Sequence, residues 1–482
     1  MLFTTIVYAQ SCLTLLSPDK QIAFILSTQE KELTYWIHFA HKTIIEPSVL
    51  GITVNKTPIG KNAIIDKTSR YTKKETYAYR GVHSTASNHY NGATISLISN
   101  GIPFVIEVRA YNDGIAFRYI IRNKQASVIP DEATSFSLPS SSIIWSQNNI
   151  KYYEGRYSKE NIDTIKTGQV MGPPITIELP GGAGFAMITE GGLTDFAGFS
   201  LKSAGNRLLK VNLSGSTRKT GLIETPWRII EIGKDLNTLV NCDIIANVSA
   251  PYDKTLFPKG YETDWVKPGR SVWTWLANQG PVSLNNLKKF TDLAAQLGFE
   301  YNLVDEGWAN WKDSLKHQDH WDMMKELVNY SATKGVKIWA WKAYPDRKGI
   351  PGLKEPESRL DFFKKAKETG IVGLKIDFFD SEAQEIINFY QSALKDAAKY
   401  KLMINFHGAN KPTGETKTYP NEMTREGVRG LEFRPPYHPH NTIIPFTRYL
   451  AGHADYTPIH FGDRLGEATW AYSIATAIVF TS

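Results

Sequence analysis

Cysteine is nearly absent from this 482-residue chain, which has two, Cys12 and Cys242, far apart in sequence. Two thiols cannot build a disulfide framework or a zinc site, and neither is given a role. Long apolar runs are missing as well, and no stretch reaches the 18 or so residues that suggest a membrane-spanning helix. Lys and Arg outnumber Asp and Glu by 55 to 48, a formal charge of +7. That surplus is spread thinly, with no dense basic run and no nucleic-acid-binding motif, so it does not support a nucleic-acid partner. No Gly-x-Gly-x-x-Gly or Walker loop follows a predicted strand, which weakens nucleotide binding. What is present is ordinary for a globular protein: 42% hydrophobic residues, 36 Gly and 24 Pro, ample for packed cores. Aromatics reach 12%, including 12 Trp; flat rings suit stacking on ligands, although most rings belong to cores.

Length alone suggests about three domains. The pattern along the chain reduces this to two. MLFTTIVYAQ (1–10) reads either as the tail of a secretory leader without its basic start or as an N-terminal strand. A leader would place the protein in the periplasm or outside the cell. Residues 11–255 alternate short β-branched and aromatic runs with turn signals, and VIEVRAY and FRYII flank Asn-Asp-Gly as in a hairpin. This predicts an antiparallel β-sandwich. A Pro- and Gly-bearing connector follows, and residues 256–482 then repeat strand and helix. Strands are predicted within 271–278, 300–308, 337–345, 373–381 and 402–410, then at 416–420 and 454–458. Several of the helices between them end on glycine, which readily adopts the left-handed cap. Such βα repeats predict a parallel sheet, a (β/α)8 TIM barrel or an open doubly wound fold. No eighth strand is found, so a barrel truncated before its eighth strand is expected.

In a TIM barrel the chemistry sits at the C-terminal ends of the strands. Lys375 and Asp377 alternate along the fourth strand, so both can face the interior. A carboxylate beside a lysine there is a nucleophile, an electrostatic stabiliser or a structural ion pair. Asp380 is read as the cap of the next helix. Glu426 and Glu432 of TREGVRGLEF are placed in the loop after the sixth strand. They are either solvated loop charges or oxygen ligands for calcium. Asp377 with a glutamate from another loop suits glycoside hydrolysis, although such a pair also serves enolisation or metal-dependent hydrolysis. Further residues at the rim are Trp273, Trp275, Asp305, Glu306, Trp308, Trp311, Trp341, Lys342, Asn405 and His407. The indoles can stack on sugars or pack between strands and helices, and the polar groups can grip hydroxyls. His407 is a ligand contact or a structural imidazole.

LLSPDKQIAF, ITEGGLTDFAGF, LKIDFFDS, INFHGANKPTG, TYPN, EGVRGLEF and ADYTP occur in this order. Together they resemble glycoside hydrolase family 97 over nearly the whole chain. The resemblance implies a β-sandwich, a (β/α)8 barrel and a small C-terminal β domain, the last absent here. It implies an oligosaccharide substrate, and a monomer is favoured. Inverting α-glucosidases of the family carry a glutamate base after strand five and lack an aspartate on strand four. Gly408 stands at the first position and Asp377 at the second, as in the retaining α-galactosidase branch. The resemblance makes Asp377 the nucleophile and Glu432 the acid/base, with Asp305, Lys342, Lys375 and His407 as substrate contacts. It assigns a calcium ion to Glu426, Glu432 and Glu190, the last reaching in from the sandwich. An α-glucosidase or a non-catalytic glycan-binding protein are the alternatives, with a metal-dependent hydrolase behind them.

Overall fold

Leu13 and Leu15 of Cys12–Leu16, and Tyr35 and Ile37 of Thr34–Phe39, are buried in alternation, the period-two pattern of a sheet with one covered face. Antiparallel strands of this kind build a large N-terminal domain, seventeen of them connected in one system with a separate three-stranded sheet beside it. The computed structural model describes residues 11–277, 280–433, 438–459, 462 and 465–480. The leader-like stretch 1–10 lies outside the described residues. The predicted hairpin is present as Ile102–Tyr111 paired with Gly114–Ile129. Strand Trp227–Gly233 is buried on both faces because short helices Leu236–Val240 and Ile244–Val248 pack against it.

The C-terminal half is a six-stranded parallel sheet in sequential order. Its strands are Ser271–Trp273, Tyr301–Val304, Lys337–Ala343, Gly373–Asp377, Met403–Phe406 and Glu422–Arg425. Helices Leu284–Leu297, His320–Ala332, Pro356–Thr369 and Gln384–Lys399 follow the first four strands in turn. The last of these buries Ile386, Tyr390, Ala393, Leu394 and Ala397, spaced to face the sheet. Gly298 and Gly370 close their helices in the left-handed region, at φ 67° and 100°. The result is half of a barrel. The first and sixth strands are not paired with each other among the described residues.

Two predicted strands are corrected. TKTYP (416–420) is largely one short helix, Glu415–Thr418, and the sixth strand is the next segment, Glu422–Arg425. Residues 454–458 are not a strand, although the Asp455 amide bonds to the Arg425 carbonyl at 3.1 Å alongside the sixth strand. Asp380 does not cap a helix: the cap position is Ala383, without a side-chain bond. One apolar cluster runs through both halves, from Phe199 and Leu193 of the β domain to Ile376 and Phe406 of the parallel sheet. The two halves therefore share a core. Among the described residues no helix is long and apolar enough to cross a membrane.

Candidate active site

Residues two apart on a strand share a face, and Lys375 and Asp377 both turn inward from the fourth strand. The Lys375 ammonium lies 3.2 Å from Asp305 Oδ2 and 4.2 Å above the Trp273 ring. The Trp273 indole N–H donates to the same Asp305 oxygen, tying strands one, two and four together. Asp377 Oδ2 accepts from the Trp341 indole at 3.0 Å, and Oδ1 accepts from the Phe378 amide at 2.8 Å. Burial pushes the Asp377 carboxyl up, and Lys375 and His407 counter that only in part. Burial disfavours the Lys375 charge, but Asp305 and Asp377 more than restore it.

Beside this pair stands an acidic cluster around His407. Its Nε2 is 2.7 Å from Asp455 Oδ2, and its Nδ1 is 3.2 Å from Glu426 Oε2 and 4.0 Å from Glu432 Oε1. Burial opposes an imidazolium, yet Glu426 and Asp455 hold the His407 pKa well above its ordinary value. A doubly protonated ring donates to both neighbours. Asn405 Nδ2 also donates to Asp455 Oδ2, at 2.7 Å, and the Gly408 amide to Glu426 Oε2, at 2.8 Å. Burial works against the charge on Glu426, but His407 and the Gly408 amide hold this carboxyl low. Asp455 is held low in the same way by His407 and Asn405. Burial, with Glu426 adding to it, pushes Glu432 up to about 7. Glu154, in the loop after strand Ile143–Gln147 of the β domain, is pushed to about 10 by burial and by Glu426.

Three carboxyls, Glu154, Glu426 and Glu432, thus crowd one another, with Lys375 and the His407 imidazolium offsetting part of their charge. Glu432 Oε1 is buried without a hydrogen-bond partner. Donor atoms of His407, Glu426 and Glu432 lie within 4.8 Å of one another. Clustered oxygens with an unmet lone pair fit a hard cation such as calcium.

Glu190 is elsewhere, which corrects its expected metal role. Its Oε1 sits 2.9 Å from the Lys411 ammonium and its Oε2 2.8 Å from Arg228, with the Phe199 amide donating to Oε1 at 3.0 Å. Both oxygens are engaged, so the β-domain carboxyl at the cluster is Glu154. Neither Glu154 nor Asp455 was singled out from sequence. Glu154 lies in an irregular loop without periodicity, and Asp455 sits in the quoted ADYTP motif without a partner to reveal it.

Lys342 does not join Asp377 either. It alternates with Trp341 on the third strand, and its ammonium lies 5.2 Å over the Phe362 ring. Trp308 and Trp311 are buried, donating to the Trp341 and Val282 carbonyls at 2.9 and 2.7 Å. Trp275 is exposed and, with Glu306, Trp341, Lys342 and Arg347, lines a cavity of about 200 Å³. A larger cavity of about 820 Å³ lies between the β domain and residues 413–419, lined by neither Asp377 nor Glu432.

The sequence matches the Glycosyl-hydrolase 97 N-terminal family over residues 15–251 and the Glycoside hydrolase 97 family over 265–428. A probable retaining alpha-galactosidase of Streptomyces bingchenggensis is 30% identical over 475 residues, covering 93% of this chain and 70% of that protein. The chain belongs to glycoside hydrolase family 97. It is accordingly a glycoside hydrolase. A retaining alpha-galactosidase of Bacteroides thetaiotaomicron is 28% identical, covering 95% of this chain and 74% of that one. Among solved structures, a family 97 enzyme from Pseudoalteromonas sp. strain K8 in complex with panose superposes with a TM-score of 0.86. It is 26% identical and covers 97% of this chain and 79% of its own. A beta-arabinopyranosidase at 22% identity shares the fold with a TM-score of 0.86.

Proposed function

We propose that this family 97 chain is a retaining α-galactosidase. The observation that carries the reading is the space at Gly408. A Cβ added there would stand 3.2 Å from Asp377 Oδ1 and 3.0 Å from the Phe378 amide nitrogen. Any side chain after strand five would thus press on the aspartate of strand four, and this chain combines that aspartate with a glycine. The names of the two curated relatives agree with that choice.

In the proposed reaction Asp377 attacks the anomeric carbon while Glu432 protonates the departing glycosidic oxygen. The glycosyl ester on Asp377 is then hydrolysed by water, which gives its proton to Glu432. Lys375, held by Asp305, keeps positive charge beside the nucleophile, and the Trp341 and Phe378 N–H groups fix its carboxylate plane. Glu154, Glu426 and Glu432 would hold a calcium ion, whose charge would offset their mutual repulsion and restrain the Glu432 side chain. Asp305 and Lys375 are the substrate contacts in this reading, whereas both His407 nitrogens are taken by Asp455 and Glu426 and orient those carboxylates. A periplasmic or secreted location is part of the proposal only on the leader reading of residues 1–10, and cell fractionation tests it.

Proton NMR of the first product decides the stereochemistry: the α-anomer should appear first, and a β-anomer would sink the retaining mechanism. Asp377→Ala should lose turnover, and azide should restore cleavage to give a β-glycosyl azide. The panose complex of the Pseudoalteromonas enzyme makes α-glucosides the second reading. Comparing kcat/KM on p-nitrophenyl α-galactoside and α-glucoside separates the two.

A further inference from the structure

Three chain segments that carry the proposed catalytic and calcium-binding groups meet again a few residues further along, away from the reacting atoms. Glu382 follows Asp377 by five positions, Lys411 follows His407 by four, and Tyr153 precedes Glu154 directly. The Lys411 ammonium lies 2.6 Å from Glu382 Oε1, 2.9 Å from Glu190 Oε1 and 3.2 Å from the Tyr153 hydroxyl. Tyr153 donates to Glu382 Oε2 at 2.6 Å, and Asn410 Nδ2 donates to Glu382 Oε1 at 3.0 Å. Beyond Glu190 the chain of charges continues to Arg228 and Glu132, at 2.8 and 2.6 Å. Lys411, Glu190, Arg228 and Glu132 are 0% exposed, Glu382 1% and Tyr153 2%. Gly198 lets the β domain come this close: its Cβ would meet Glu382 Cβ at 2.9 Å, and its amide bonds to the Glu382 carbonyl.

Stability alone does not explain such a cluster. Buried ion pairs are often no more stabilising than well-packed apolar groups of the same volume. What charged hydrogen bonds supply is fixed geometry, and a displacement of about 1 Å in a catalytic group can cost about 100-fold in rate. We infer that Lys411, Glu382 and Tyr153 are positioning residues for hydrolysis, a buried hub that sets the loops of Asp377, His407 and Glu154 against one another. They touch no substrate. The inference rests on the catalytic reading of Asp377 and Glu432 given above.

The test pairs hub variants with a structural control of similar burial. Arg359 bonds Asp396 at 2.8 Å between helices Pro356–Thr369 and Gln384–Lys399, and is 4% exposed. Lys411→Met, Tyr153→Phe and Arg359→Met are assayed well below their melting temperatures, on whichever p-nitrophenyl α-glycoside the wild type hydrolyses. All three should melt lower. Lys411→Met should lose about 100-fold in kcat, Tyr153→Phe a smaller but measurable part of that, both with little change in KM. Arg359→Met should keep the wild-type kcat. Tyr153→Phe keeps the ring, so it decides the matter if Lys411→Met does not fold. Hub variants that melt lower but retain full kcat, as the control should, would overturn the inference. Failure of the catalytic reading shows separately, as an Asp377→Ala protein that still turns over.

Discussion

Asp377 and Gly408 constrain each other, and the smaller residue is the easier to probe. Gly408 has φ 52°, a region unfavourable to side chains by about 1 kcal/mol or more, and an added methyl would press on Asp377 Oδ1. Gly408→Ala should therefore lower kcat by about 10- to 100-fold while costing only about 1–2 kcal/mol of stability; steady-state kinetics and thermal melts measure the two. Asp377 also makes a pH prediction. It must be ionised to attack, and burial holds its pKa above that of a free aspartate. Activity should accordingly fall as pH drops through that raised value, and the acid limb of kcat/KM should lie above the pKa of an exposed aspartate, 3.8. At this scale the sequence was legible where a strand imposes parity. Lys375 and Asp377 are i and i+2 on one strand, so their meeting is readable from spacing. Glu154 and Asp455 reach the site from loops far away in sequence, and no local pattern foretells such contacts. Glu190 shows the converse: its motif was recognised, but its partner was Lys411, and only folding brings that pair together.

Elements were more legible than residues, because hydrophobic periodicity and glycine stops are local signals. Five parallel strands and the helices following the first four lie where they were expected. The sixth lies a few residues later, at Glu422–Arg425, because TKTYP folds largely as the helix Glu415–Thr418 and runs this short carry no decisive periodicity. Burial within elements supplies a stability prediction. Glu231, inside the fully buried strand Trp227–Gly233, has both oxygens without a hydrogen-bond partner, and burial raises its pKa well above 4.5. The folded state thus keeps a proton that the unfolded chain releases near 4.5, so this group makes stability fall as pH rises above that value. Glu231→Gln should remove that loss, leaving the melting temperature higher than wild type at pH 8 and little changed at pH 5 by calorimetry.

On the scale of the molecule, the calcium proposal joins the halves, since Glu154 comes from the β domain and Glu426 and Glu432 from the parallel half. Chelation with EDTA should lower both activity and melting temperature, and added calcium should restore them in a concentration-dependent way. Magnesium should restore less, because it demands a tighter octahedron than three side-chain carboxylates from two loops provide. Glu154→Gln should raise the calcium concentration needed, as read by calorimetric titration.

The shared hub also bears on the order of folding. Glu132, Glu190 and Arg228 all belong to the β domain, where two carboxylates share Arg228, and Lys411, itself paired with Glu382, adds a second cation from the later half. A β domain synthesised first would therefore present a negative socket at its docking face, and the loop of the later half supplies the plug. Docking with the wrong neighbour, or with the parallel half out of register, would strand that charge in an apolar seam. Formation of the Lys411–Glu190 pair would thus accompany the same register of the two halves that brings Glu154 to its partners.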